Sequence, residues 1–142
     1  MMETFFGADM HSYRDRLYEY IQNQYGDNPA FLWPQHPFYA VLRHNSNQKW
    51  YAVIMDVPKP KLGIDGDGVI DILNVKCTRE KVPLLLTKRD YLPAYHMNKN
   101  NWISVRLDGD IPLTDIHNLI DISFGLTAKL HAARRALFFS RR

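Results

Sequence analysis

At 142 residues, with 46% apolar and 23% charged side chains, the chain has the makeup of one self-sufficient globular domain rather than a disordered one. Its single cysteine, Cys77, excludes an internal disulfide and a thiolate-rich zinc site. The net charge of +3 is unevenly spread. Residues 129–142 hold Lys129, Arg134, Arg135, Arg141, Arg142 and no acid, so residues 1–128 carry 13 basic against 15 acidic side chains, a net of −2.

In chain order, Ser12 to Tyr25 reads as the first helix, with Tyr13, Leu17, Tyr20, Ile21 and Gln24 on one face and Gly26 at the C-terminal cap. Ser12 with Asp15 is a shorter relative of the capping box. Residues 26–37 form a connection in which Pro29, Pro34 and Pro37 each remove a backbone donor. Phe38–His44 and Lys49–Val57 then flank Asn45-Ser46-Asn47-Gln48, a hairpin signal with asparagines suited to positive φ.

A long Gly/Pro-rich loop, 58–68, precedes a third strand, Val69–Lys76, whose apolar residues fall on both faces. Thr78–Lys88 reads as a short helix. Pro83 requires either a start near Val82, with the proline in the first turn, or a distorted first turn. Tyr91 to Asn101 is irregular, and Trp102–Leu107 is a strand with Ile103, Val105 and Leu107 on one face. Asp108-Gly109-Asp110 turns the chain.

The last helix begins near Thr114 with Ile116, Leu119, Ile120, Phe124 and Thr127 in register. That register either runs on through His131 to Phe138, a rod of roughly 39 Å, or breaks at Gly125 and leaves a separate basic segment. Helices at the ends of consecutive antiparallel strands imply an α+β fold in two layers, with the sheet packed against N- and C-terminal helices. One domain is expected over 1–142, with 128–142 as a basic C-terminal extension. No signal-peptide pattern and no apolar run of about 20 residues is present, so a cytoplasmic protein is expected, and separately a monomer.

Candidate chemistry is sparse. Asp65-Gly-Asp67-Gly68 suggests a calcium loop, but Val69, Ile70 and Lys76 occupy the positions where an EF-hand places an oxygen ligand, glycine and an acid. It reads as a turn. The histidines His11, His36, His44, His96, His117 and His131 include no i, i+4 pair, so no metal site and no cofactor is expected. His96 with Asp108 or Asp110 resembles a general base and its orienter. No activated nucleophile accompanies them, since Ser104 and Cys77 stand in strand contexts, and the expectation is a protein that is not an enzyme.

Nucleic-acid recognition has better material. Lys and Arg neutralise phosphates, amides hydrogen-bond, and aromatics stack on exposed bases. Asn98, Lys99, Asn100 and Asn101 form a polar turn between Tyr95 and Trp102, with His96 inside the same segment and Arg106 on the strand face of Trp102. Arg43 and Lys49 flank the hairpin loop, while Lys59 and Lys61 lie in the long loop, so two basic-tipped loops could serve as wings along phosphate backbones. The competing reading of each piece is local: asparagines for turn geometry, aromatics for the core edge, lysines for loop solvation. The tail interleaves its basic residues with Leu130, Leu137, Phe138 and Phe139. It either meets phosphate, an acidic membrane surface or a partner groove, or packs against the domain.

An ordered series of short stretches resembles the MmcQ/YjbR-like family. They are Lys49-Trp-Tyr-Ala-Val-Ile-Met55, Lys61-Leu-Gly with Leu73-Asn-Val-Lys-Cys77, Pro93-Ala-Tyr-His-Met-Asn-Lys99 with Trp102, Leu107-Asp-Gly109 and Leu119-Ile-Asp-Ile-Ser-Phe124. The resemblance covers roughly residues 30–127. It implies a frataxin/CyaY-like two-layer arrangement described as a double-wing DNA-binding module, with Tyr95, His96, Met97, Asn98, Lys99 and Trp102 at signature positions. Asn101 stands where the family often has histidine, and Phe124 where tyrosine is common. The expected function is DNA binding of low sequence specificity, with a protein-interaction domain lacking nucleic-acid affinity as the alternative.

Overall fold

The structure, a computed structural model, describes residues 13–128. The proposed Ser12 cap, His11, His131 and the whole basic tail lie outside the described residues. Helix α1 (Arg14–Tyr25) starts within two residues of expectation and ends at Gly26, whose φ of 75° lets its N–H close on the Gln22 carbonyl. Leu17 and Ile21 are its buried face, while Gln24 of the expected stripe is exposed.

Strands β1 (Ala40–Arg43), β2 (Trp50–Pro58), β3 (Val69–Lys76), β4 (Tyr91–Pro93) and β5 (Trp102–Arg106) form one antiparallel sheet in the order β1-β2-β3-β5-β4. Helix α2 (Lys81–Leu86) carries Pro83 in its first turn, where the missing N–H has no helical partner to lose. Helix α3 spans Leu113–Thr127. The architecture is α+β, as the order of elements implied.

Two expectations need correction. The segment after Tyr91 is not wholly irregular: Tyr91–Pro93 is an edge strand on β5, short enough for its proline to sit at the end of the pairing. The C-terminal helix passes Gly125 intact and stops at Thr127, because Ala128 has extended backbone (φ −62°, ψ 161°). A single rod from Thr114 to Phe138 is thereby ruled out.

The three described α-helices pack on one face of the sheet. Leu17, Ile21, Val82, Leu85, Ile116 and Ile120 meet Ile54, Leu73, Val75, Ile103 and Val105 there. The other face carries its own smaller core of Val41, Val53, Met55, Val57, Ile70 and Ile72, covered by Trp33, Tyr39, Trp50, Leu62, Ile64 and Tyr95. This explains why β3 is apolar on both sides. Connections, one of them containing the 3-10 turn Lys59–Leu62, cover the second face in place of α-helices.

A β-bulge decides which aromatic goes where. Leu42 pairs with Ala52 but Arg43 pairs with Trp50, so Tyr51 is the extra residue of β2. Tyr51 turns into the helix-side core against Tyr25 and Phe124, and its hydroxyl reaches Asp27 at 2.6 Å. Trp50 is left on the loop-covered face beside Val53. Ser123 of α3 repairs the interrupted ladder: its Oγ accepts the Lys76 N–H at 2.9 Å and donates to the Tyr51 carbonyl at 2.6 Å.

Candidate functional site

The signature segment is held to the loop-covered face by a buried polar pair. Asn74 and Ser104 are cross-strand partners in β3 and β5, both fully buried. The Ser104 hydroxyl donates to the Asn74 side-chain oxygen and accepts the Tyr95 N–H at 2.9 Å. The Asn74 amide donates to the Tyr95 carbonyl at 2.8 Å. Both backbone polar groups of Tyr95 are therefore fixed, which supplies the partners that a buried segment requires.

Beyond this clamp the chain reverses. His96 has φ 61°, a left-handed conformation uncommon for a side-chain-bearing residue, and its exposed ring lies 3.9 Å from that of Tyr95. Asn98 shapes the following turn: its side-chain oxygen accepts the Asn100 N–H at 2.8 Å, and its carbonyl accepts the Trp102 N–H at 3.0 Å. The Asn101 carbonyl accepts the Cys77 N–H at 2.8 Å, tying the turn to the end of β3. Lys99 projects from an exposed position at the tip.

Below His96 lies a cavity of about 360 Å³, lined by Trp33, His36, Tyr39, Trp50, Val53, Met55, His96 and Met97. Trp33 stands edge-on to Trp50 (5.7 Å, 86°) and to Tyr39 (5.8 Å, 74°), while His36 stacks on Tyr39 at 4.3 Å. None of the lining residues carries a full formal charge when the imidazoles are neutral. Sequence reasoning missed this pocket. Residues 26–37 read as a connection and Trp50 as an ordinary strand start, because only the bulge and the sheet bring them beside His96 and Met97.

The ten predicted contact residues separate by position along the sheet. At the end where β2 starts and β3 finishes lie Arg43, cross-strand from Trp50, with Lys49 next to it, and Trp102, cross-strand from Lys76. Tyr95, His96, Asn98 and Lys99 belong to the turn leading into Trp102. Neither the 44–49 hairpin nor the 98–101 turn contains an acid. Lys59, Lys61 and Arg106 occupy the opposite end, where β2 finishes and β3 begins. The two basic-tipped loops thus project from opposite ends of the sheet.

The second end is electrostatically compensated. Arg106 forms a two-pronged ion pair with Asp108, both contacts 3.0 Å, which raises the guanidinium pKa and lowers that of the carboxyl. Lys59 shares a cleft with Asp67, Asp71 and Asp108, and its charge lowers the Asp108 carboxyl further. Arg14 holds Asp71 through bonds of 2.8 and 3.1 Å.

Several other titratable groups are built into packing. His44 is buried with Nε2 2.8 Å from the Thr127 hydroxyl, and burial pushes its pKa down. Asp121 accepts the hydroxyls of Tyr20 and Tyr25; burial, then that bond, pushes Tyr20 up to about 12. Burial also raises the Cys77 thiol, opposite to the shift of an activated nucleophile. Among the described residues no three His, Cys, Asp or Glu side chains converge as a metal site, and no helix is long and apolar enough to cross a membrane.

An α+β sheet with helices on one face and an aromatic, turn-capped pocket on the other defines the class of this protein. Residues 22–126 match the YjbR family, and the chain belongs to that family. It is 46% identical over 114 residues to the uncharacterized protein YyaQ of Bacillus subtilis (strain 168), covering 80% of this chain and 97% of the relative. It is also similar to a crystal structure of a Pseudomonas syringae protein: TM-score 0.79, 45% identity, 80% of this chain and 97% of the other. The Deinococcus radiodurans protein DR2400 shares the fold at a TM-score of 0.63 and 22% identity, over 85% of this chain and 82% of the other.

Proposed function

We propose that this protein is a non-enzymatic DNA-binding module of low sequence specificity. One observation carries the reading: the clamped 95–101 turn presents His96, Asn98 and Lys99 at the sheet end that also bears Arg43, Lys49 and Lys76, with no acid in either loop. Phosphates are contacted by Lys49, Lys99 and Arg43, while Trp102 and Asn98 supply stacking and hydrogen bonds. Lys59, Lys61 and Arg106 contribute less, since Asp67, Asp71 and Asp108 lie at their end of the sheet. Arg43 in turn shares a cleft with Asp27, which leaves Lys49 and Lys99 as the main phosphate contacts. In double-wing terms, one wing does most of the work.

The body's net charge of −2 makes a local basic patch more important than the sum. Fluorescence-anisotropy binding to a random-sequence duplex across a salt series tests the reading. The intact chain is compared with Lys49→Ala/Lys99→Ala and with a variant whose Arg134, Arg135, Arg141 and Arg142 are all glutamine. Steep salt dependence that weakens in the double variant supports a site on the folded body. Affinity lost only with the tail arginines would move DNA binding off the domain.

A protein-interaction reading rests on a separate observation. Phe31 (54% exposed), Leu32 (40%) and Phe38 (63%) are apolar side chains left open in the connection that also supplies Trp33 and His36. Exposed apolar side chains of this kind suit a protein surface better than a phosphate backbone. An absence of DNA binding under every salt condition would favour it.

A further inference from the structure

We infer that the aromatic pocket receives one unstacked nucleobase of a single-stranded DNA segment whose phosphates pass over Arg43, Lys49 and Lys99. The inference rests on the DNA-binding reading and specifies the form of DNA. The lining decides the chemistry. The lining holds no carboxylate, guanidinium or ammonium group to pair with an ionic ligand. Indole, phenol, imidazole and thioether surfaces instead match a flat, neutral heteroaromatic ring, with His36, His96 and Tyr39 able to meet polar atoms at its edge.

The pocket's size and construction agree with that occupant. A volume of about 360 Å³ lies near the lower end of small-molecule sites, which run from roughly 300 to 1,000 Å³. Val53 and Met55, 2% and 4% exposed, form a floor fixed in the middle of β2. His96 and Met97 form a wall directly after the Asn74–Ser104 clamp. Met55 and Met97 adapt to rings of different outline, which suits low base specificity.

The cations are placed for the rest of the nucleotide. Lys49 precedes Trp50, Arg43 pairs with Trp50 across β1 and β2, and Lys99 follows Met97 by two residues. A base seated between Trp50 and Met97 leaves its sugar-phosphate chain at the sheet end that carries Lys49 and Lys99, with Arg43 in the neighbouring cleft beside Asp27. Single-stranded binding sites combine such a cationic track with aromatic platforms. A duplex must first unstack and unpair a base to use the pocket, so a single strand is preferred.

The test uses the full chain with three probes: a short oligothymidylate, a sugar-phosphate oligomer of equal length lacking its bases, and a duplex. Binding is read by anisotropy and by quenching of tryptophan fluorescence. The oligothymidylate is expected to bind at least about ten-fold more tightly than the abasic oligomer, the contribution of one stacked base. Only the base-bearing strand should quench.

Trp33→Leu should erase that difference while leaving abasic binding unchanged. His96→Gly should reduce it; the exposed site and φ of 61° let glycine enter without strain, so this variant remains informative if Trp33→Leu fails to fold. Equal affinity for the base-bearing and abasic strands, or no response to His96→Gly, would overturn the pocket inference and leave DNA binding by phosphate contact standing. Failure to bind all three probes would overturn both.

Discussion

Asn74 and Ser104 face each other across β3 and β5 and between them hold both backbone polar groups of Tyr95. The pair is the reason a turn rich in exposed side chains has a fixed position on the sheet. Ser104→Ala leaves the Tyr95 N–H without its acceptor and the Asn74 oxygen without its donor. A loss of about 1–3 kcal/mol is expected from a stranded buried group, measured by urea unfolding. Hydrogen exchange should rise in residues 94–101 more than in α1.

Gly109 owes its identity to Asp90. A Cβ built on Gly109 would collide with the Asp90 carboxylate. That carboxylate accepts the Asp110 N–H at 3.0 Å, and Asp90 itself adopts φ 74°. Gly109→Ala should destabilise by about 1 kcal/mol, because the Asp90 carboxylate must swing aside and loosen its bond to the Asp110 N–H. Adding Asp90→Gly, which removes the clashing side chain and suits the positive φ, should cancel most of that penalty. A double-mutant cycle in thermal unfolding checks the coupling; purely additive effects would show that the two residues do not compete for the same space.

Ser123 stands in for a missing rung of the sheet, bridging the Lys76 N–H and the Tyr51 carbonyl at the bulge. Ser123→Ala leaves two backbone groups without that bridge, and a loss of about 1–3 kcal/mol is expected. Ser123→Cys should not restore it, because a thiol is a weak donor and acceptor. Equilibrium denaturation of the two variants gives the comparison.

Such long-range relationships mark the limit of what the sequence made legible. Apolar period and turn residues located α1, β2, β3, β5 and α3 to within a few residues, because each rests on local pattern. The helix-side core followed from those patterns. The edge strand Tyr91–Pro93 did not, since three residues ending in proline carry no periodic signal. The bulge at Tyr51 was equally silent: Lys49-Trp-Tyr-Ala-Val alternates no differently with or without an extra residue. Yet that bulge places Trp50 in the pocket with Trp33 and Tyr39. The signature turn was visible as an excess of polar and aromatic groups, but the Asn74–Ser104 pair that fixes it lies 21 and 9 residues from Tyr95.

His44 makes stability depend on pH. Burial lowers its folded-state pKa below the unfolded value of 6.5, so the unfolded chain binds the proton more readily. The resulting stability is fully present above about pH 6.5 and declines as pH falls through the depressed folded-state value. His117, also lowered by burial and stacked on Tyr20 at 3.7 Å, acts in the same direction. Urea midpoints should therefore fall between pH 7.5 and 5. His44→Phe should flatten part of that slope, because the ring still meets Phe124 and Tyr51 but no longer titrates. An unchanged slope would assign the effect to other groups.

The two ends of the sheet should respond differently when lysines are removed. Lys99→Ala deletes a cation from a turn with no acid, and Lys49→Ala does the same at the hairpin. Each should lower the magnitude of the salt slope, log K against log salt, by about one if it meets a phosphate. Lys61→Ala acts in a loop that also contains Asp65 and Asp67, and Arg106→Ala frees the Asp108 carboxylate as it removes the guanidinium. Lys61→Ala should leave the slope nearly unchanged. Arg106→Ala should weaken binding mainly through the negative charge it uncovers, so Arg106→Ala/Asp108→Ala should recover most of the loss. Equal slope changes for Lys61 and Lys99 would mean that DNA spans both ends and that the two loops act together as wings.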